Sequence, residues 1–195
     1  MNPTLSRSIP SSVIAVIALF LLCSCGTTPP DDPANPIVEV SIFQQGEDLF
    51  ANVRLDSKYL DERLKEMGHG EPVLASYRFE FYRQQDNFFD LRLSHQIIQR
   101  RVRLRLITQR FEMMDLPQRR LQYTADEDEA MNFFGAPRYI HIGSEVQLPK
   151  NNRYYLKVGF TVEHQGMSWV LGVLNRLLTM TPPVIHEKIV WLQNP

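Results

Sequence analysis

From Val73 to Arg83 the chain alternates without a break. Val73, Ala75, Tyr77, Phe79 and Phe81 interleave with Leu74, Ser76, Arg78, Glu80 and Tyr82. Successive side chains of a strand point to opposite faces, whereas a helix would scatter these positions around its axis. A strand with three aromatic rings on one face must bury that face under another layer. The chain is thereby committed to a sheet with a covered aromatic side.

The flanking segments supply further strands. Ile37–Phe43 and Leu49–Leu55 are β-rich, roughly alternating, and separated by Gln-Gln-Gly-Glu-Asp, which predicts a hairpin. Lys58–Met67 is helical: Leu60, Leu64 and Met67 recur at i, i+4 and i+7, Asp61 precedes Lys65 by four, and Gly68 and Gly70 end the run. Arg110–Asp115 and Arg120–Thr124 predict a second hairpin turning at Leu116–Arg119. Asp126–Phe134 places acids in a first helical turn, where the helix dipole favours them, with Gly135 after it. Tyr139–Ile142, Tyr154–His164 and Val184–Leu192 complete the strands. The expected fold is mainly β, an antiparallel sandwich or partly open barrel with two or three short helices.

One extended stretch carries a conflict of phase. Between Phe88 and about Leu106, the apolar residues Phe89, Leu91, Leu93 and Ile97 are odd-numbered, while Val102, Leu104 and Leu106 are even-numbered. Period two changes phase only through an extra residue, so a β-bulge is expected between Ile97 and Arg101. With that bulge, Arg92, Arg101, Arg103 and Arg105 point away from the core. Arg101 to Arg105 spans about 13 Å at roughly 3.3 Å per residue. Such a row suits lipid phosphates, lipopolysaccharide or an acidic partner. A cross-strand charge ladder with Glu80 or Glu112 opposite is the favoured alternative.

The amino-terminal region bears on location. Val13–Leu22 is ten apolar residues in a row. A spanning helix needs roughly 20, and a signal-peptide core about 7–15. Leu22-Cys23-Ser24-Cys25-Gly26 follows, and it resembles the bacterial lipoprotein signal. Cys25 fits as the modified residue because Ser24 is small and Leu22 stands three before it. The resemblance implies a signal peptide over 1–24, cleavage before Cys25, a diacylglycerol thioether on its sulfur, and acylation such as palmitate at the new terminus. Each buried CH₂ contributes about 0.8 kcal/mol, so two or three chains hold lastingly where one is marginal. Gly26-Thr27 rather than Asp follows the cysteine. By the enteric sorting rule, that implies the outer membrane, with the domain facing the periplasm. Gly26–Pro36 holds four prolines, so residues 25–36 form the lipidated Cys25 and a tether reaching on the order of 34 Å. Residues 37–195 form a single β-rich domain.

The order of elements also resembles a family. Two strands precede a short helix ending in Gly-x-Gly-x-Pro-Val. An aromatic strand, a Phe88-Phe89-Asp90 turn exit and a basic Arg-Arg-Val-Arg-Leu-Arg strand come next, leading into Leu-Ile-Thr-Gln-Arg-Phe. A small acidic helix, a Tyr-Tyr-Leu-Lys-Val strand and a last strand with Trp191 follow. This resembles the proteobacterial envelope family catalogued as domain of unknown function 4390, over about Ile37 to Leu192. The turn exit departs from it, since family members often carry tryptophans there. The resemblance implies an exported β-rich domain and supplies no catalytic residue.

The residues themselves offer little chemistry. Both cysteines lie within the first 25 positions, so the domain has no thiolate metal site or internal disulfide to form. There is no G-x-S-x-G, dinucleotide loop, phosphate loop, zincin motif or calcium loop. The five histidines, His69, His95, His141, His164 and His186, are far apart, and no metal or cofactor is expected. His95 takes an apolar slot between Leu93 and Ile97 and is expected as a hydrogen-bonded core residue. Net charge is −1, which leaves no electrostatic footprint for nucleic acid. Trp169–Leu178 (WVLGVLNRLL) is too short to span a membrane and is expected either to pack over an open end of the fold or, with Trp169, to meet a partner or a membrane surface. The sequence therefore reads as a lipid-anchored, non-catalytic envelope protein whose β-domain binds another envelope protein or an anionic lipid. The alternative is a periplasmic carrier of an apolar ligand, with an enzyme behind both.

Overall fold

The computed structural model describes residues 35–86, 89–116, 118–144, 148–149, 151–164 and 185–192. Cys25, the expected signal peptide, Trp169 and the Trp169–Leu178 run lie outside the described residues. Nine strands and two helices occur among those described. They are β1 (Ile37–Gln45), β2 (Asp48–Leu55), α1 (Ser57–Met67), β3 (Val73–Arg83), β4 (Leu91–Arg105), β5 (Arg110–Asp115), β6 (Arg120–Thr124), α2 (Glu127–Gly135), β7 (Ile140–Ser144), β8 (Tyr154–His164) and β9 (His186–Trp191). They form two antiparallel sheets, β1-β2-β7 and β6-β5-β4-β3-β8-β9. Neither closes into a barrel. No described helix is long and apolar enough to cross a membrane.

The aromatic strand is the centre of the larger sheet. Tyr77, Phe79 and Phe81 on β3 are buried and stand beside Phe160, Val158 and Leu156 of β8. Ala51 and Val53 of β2, Ile140 and Ile142 of β7, and Met131 and Phe134 of α2 join the same core. Each large side chain removed from water contributes about 1.5–3 kcal/mol, so this shared core holds both sheets together. The other face of β3 is not simply solvated: Leu74 and Glu80 there are buried as well.

Both helices begin at aspartates. The Asp56 carboxylate accepts from Tyr59 N at 3.1 Å, and Asp126 accepts from Asp128 N and Glu129 N at 2.8 and 3.2 Å. In α1 the ion pair that forms is Arg63–Glu66 at 2.7 Å rather than the spacing Asp61–Lys65.

The bulge in β4 lies earlier than the sequence suggests. Phe81 stands opposite Ser94 and Tyr82 opposite Arg92, so Leu93 is the extra residue. From Ser94 onward the even positions face the core: Ile98 stands opposite Tyr77 and Val102 opposite Val73. Leu93 and Ile97 are consequently exposed, as are Phe89 and Leu91 ahead of the bulge, and His95 is an exposed residue opposite Glu80 rather than a core histidine. The early bulge also brings Ser94 under the smaller sheet, where its hydroxyl donates to Ile142 O of β7. That bond joins the two sheets and accounts for a polar residue at a core-facing position.

Candidate functional site

The outer face of the larger sheet collects most of its charge into three groups. Near β9, Glu187 pairs with Arg78 at 3.0 Å and Lys157 at 2.8 Å. On β3, Glu80 lies between Arg78 at 3.7 Å and Arg92 at 3.3 Å. On β5, Glu112 is surrounded by Arg101, Arg103 and Arg105 at 3.6, 2.9 and 3.5 Å.

The third group is unbalanced. The Glu112 side chain is only 6% exposed, whereas its three arginines are 28%, 37% and 47% exposed. One carboxylate fully engages one guanidinium, here the Arg103 Nη2 that donates to Oε2 at 2.9 Å. The other two contacts are looser: Arg101 Nη2 also donates to Met114 Sδ at 3.4 Å, and Arg105 is the most exposed of the three. The alternation of β4 places all three on this side while Val102 and Leu104 face inward. The row is thus both a ladder onto Glu112 and a surplus of positive charge.

Strand pairing enlarges that surplus. Arg110, the first residue of β5, stands directly opposite Arg105, and like charges in register repel. No carboxylate pairs with Arg110 among the described residues. Tyr123 of β6 lies under the Arg105 guanidinium, 5.9 Å from ring centre to Cζ. Arg105, Thr108, Arg110 and Tyr123 line an open recess of about 420 Å³. On the same face, Glu163 is two strands from Arg101, roughly 10 Å at normal strand spacing.

Not every residue of the expected row belongs here. Arg92 sits on Glu80, at the far end of β4 from Arg105. Arg101, Arg103 and Arg105 come together as expected. Arg110, Thr108 and Tyr123 were not singled out by the sequence. Their signal was present in the turn between Arg105 and Arg110, whose length sets those two residues opposite one another.

The core face of the sheet holds a cation of a different kind. Arg100 donates to Phe133 O and lies 4.8 Å from the Phe133 ring centre. Burial lowers its pKa, with Tyr77 and Asp115 acting the other way. It is spent on the end of α2 and is not offered to solvent. Among the described residues, no group of three histidine, cysteine or acidic side chains is placed to hold a metal ion.

These features define a two-sheet antiparallel β-domain with a basic outer face. A family model described as "Domain of unknown function (DUF4390)" matches residues 35–177, and the chain belongs to that family. Comparison with curated proteins and with solved structures finds no match.

Proposed function

We propose that this is a lipid-anchored protein of the bacterial cell envelope, and that its non-catalytic β-domain binds an anionic envelope component through Arg101, Arg103, Arg105 and Arg110. The observation that carries the binding reading is the ratio of four guanidiniums to the single carboxylate of Glu112. A structural ladder needs only to balance its charges. A surplus held on one face beside an open recess favours a negative partner and steers it in. Support for the anchor comes from the apolar Val13–Leu22 run followed by Ser24-Cys25. The lipid would place the domain at the outer membrane, facing the periplasm. The two sheets, sharing one core, act in this reading as a sandwich that presents the basic face outward. The carrier alternative would hold its ligand beneath the Trp169–Leu178 run, outside the described residues; within them, Tyr77, Phe79, Phe81 and Phe160 fill the core.

A photoreactive residue at Thr108 tests the reading in intact cells. Thr108 lines the recess and is exposed. The expected result is an adduct with an envelope component that weakens in the Arg101→Gln, Arg103→Gln, Arg105→Gln variant and at raised salt. An absence of adduct, or one indifferent to both changes, would contradict it.

A further inference from the structure

The turn between β4 and β5 has an unusual surface. Ile107 is 99% exposed and Leu106 beside it 53%. Arg105 and Arg110 flank this apolar tip, with Arg103 and Arg101 behind it along β4. Tyr123 and Leu121 of β6, both about half exposed, face the same side. The turn is held by its own chain: Gln109 has φ 50°, and its side-chain amide donates to Leu106 O at 2.6 Å. Leu106 packs closely on Gly70, at φ 79°: a Cβ there would stand 3.2 Å from the Leu106 Cγ.

We propose that this tip is a membrane-docking element that takes the phosphates of anionic phospholipids. It rests on the anion-binding reading above and names the ligand. A protruding isoleucine gains by leaving water for the boundary of the acyl chains. Guanidinium forks immediately behind it then meet the headgroup level, where paired donors match phosphate oxygens. Tyr123 suits the same depth, with an apolar ring and a polar hydroxyl. Charge complementarity favours this occupant: three arginines share the single carboxylate of Glu112, and Arg110 opposite Arg105 adds a fourth guanidinium with no acidic partner among the described residues. The acids of α2, Glu127, Asp128 and Glu129, begin a helix that packs on the opposite, core side of the sheet through Ala130, Met131 and Phe134.

The test uses the full chain in vesicles of phosphatidylcholine alone or mixed with phosphatidylglycerol. Ile107→Trp is compared with Phe89→Trp, another almost fully exposed position at the other end of β4. Each signal is read as the difference from the parent, which keeps Trp169 and Trp191. With phosphatidylglycerol present, Ile107→Trp should shift its emission to the blue and be quenched by brominated lipid, while Phe89→Trp stays in water. Adding Arg101→Gln, Arg103→Gln and Arg105→Gln should weaken docking roughly a hundredfold, since each basic side chain near an anionic surface contributes about fivefold. High salt should act likewise. A residue 107 that stays in water beside phosphatidylglycerol overturns the lipid assignment. If Thr108 still crosslinks in cells in an arginine-dependent way, the anion-binding reading survives that failure and the ligand is an envelope protein. If that crosslink is also missing, both fall.

Discussion

The Tyr77 hydroxyl donates to Phe134 O at 2.6 Å inside the core. It ties the central strand to the last turn of α2, whose carbonyls would otherwise be unsatisfied in an apolar setting. The neighbouring carbonyl, Phe133 O, accepts from Arg100. Burial pushes the Tyr77 hydroxyl far above its ordinary pKa, so it stays a donor at any physiological pH. Tyr77→Phe keeps the ring and strands the carbonyl. It should lower the free energy of unfolding by about 1–3 kcal/mol, measured by urea denaturation. A change near zero would mean that the carbonyl finds another donor.

A second constraint on α2 is steric. A Cβ at Gly135 would stand 2.6 Å from Cδ2 of Leu60 and 3.2 Å from its Cγ. Gly135→Ala should cost about 1–3 kcal/mol through overpacking. Combining it with Leu60→Ala should cost less than the sum of the two single changes, which a double-mutant cycle measures. Strict additivity would contradict the packing of α1 on α2.

Tyr155 gives a pH signature. Burial, together with the hydrogen bond from its hydroxyl to Asp90 Oδ2 at 2.7 Å, pushes its pKa from 10 up to about 12. A pKa raised by folding contributes stability that is fully present below pH 10 and lost as pH rises through about 12. Tyr155→Phe should therefore be less stable than the parent by about 1 kcal/mol below pH 10, with the gap closing above it. Unfolding curves across alkaline pH check this. A gap that widens above pH 10 would contradict the assignment.

Glu112 is the counter-ion that lets three arginines share one face. Glu112→Gln leaves those guanidiniums facing one another around a neutral amide. The expected loss is about 2 kcal/mol, below that for a fully buried pair because the arginines are partly solvated. Added salt should restore part of it. Thermal unfolding at low and high salt measures both. A salt-insensitive loss would point to packing instead of charge.

Local alternation made most of the fold legible. The Val73–Arg83 strand has the predicted bounds, and the covered face carries Tyr77, Phe79 and Phe81, because one strand with three rings admits one orientation. The first hairpin was readable from Gly46 and the start of α2 from its first-turn acids, whereas the capping by Asp56 and Asp126 emerges only in the structure. Apolar parity misplaced the bulge, since Leu91, Leu93 and Ile97 lie on exposed surface that hydrophobicity alone does not reveal. His95 was misassigned for the same reason. The row of arginines was readable from period two, but its character was not. Whether Glu112 balances it depends on β4–β5 register, which also sets Arg110 against Arg105.

Arg110 separates a face built for binding from one built for stability. It stands opposite Arg105 and has no acidic partner among the described residues, so it adds repulsion to the fold and positive charge to the recess. Arg110→Gln should leave the thermal midpoint unchanged or raise it, while reducing the crosslink from Thr108 to the envelope component. Measured together on one variant, those two readouts decide the central claim. A lower midpoint with an unchanged crosslink would make Arg110 a structural residue and contradict the binding face.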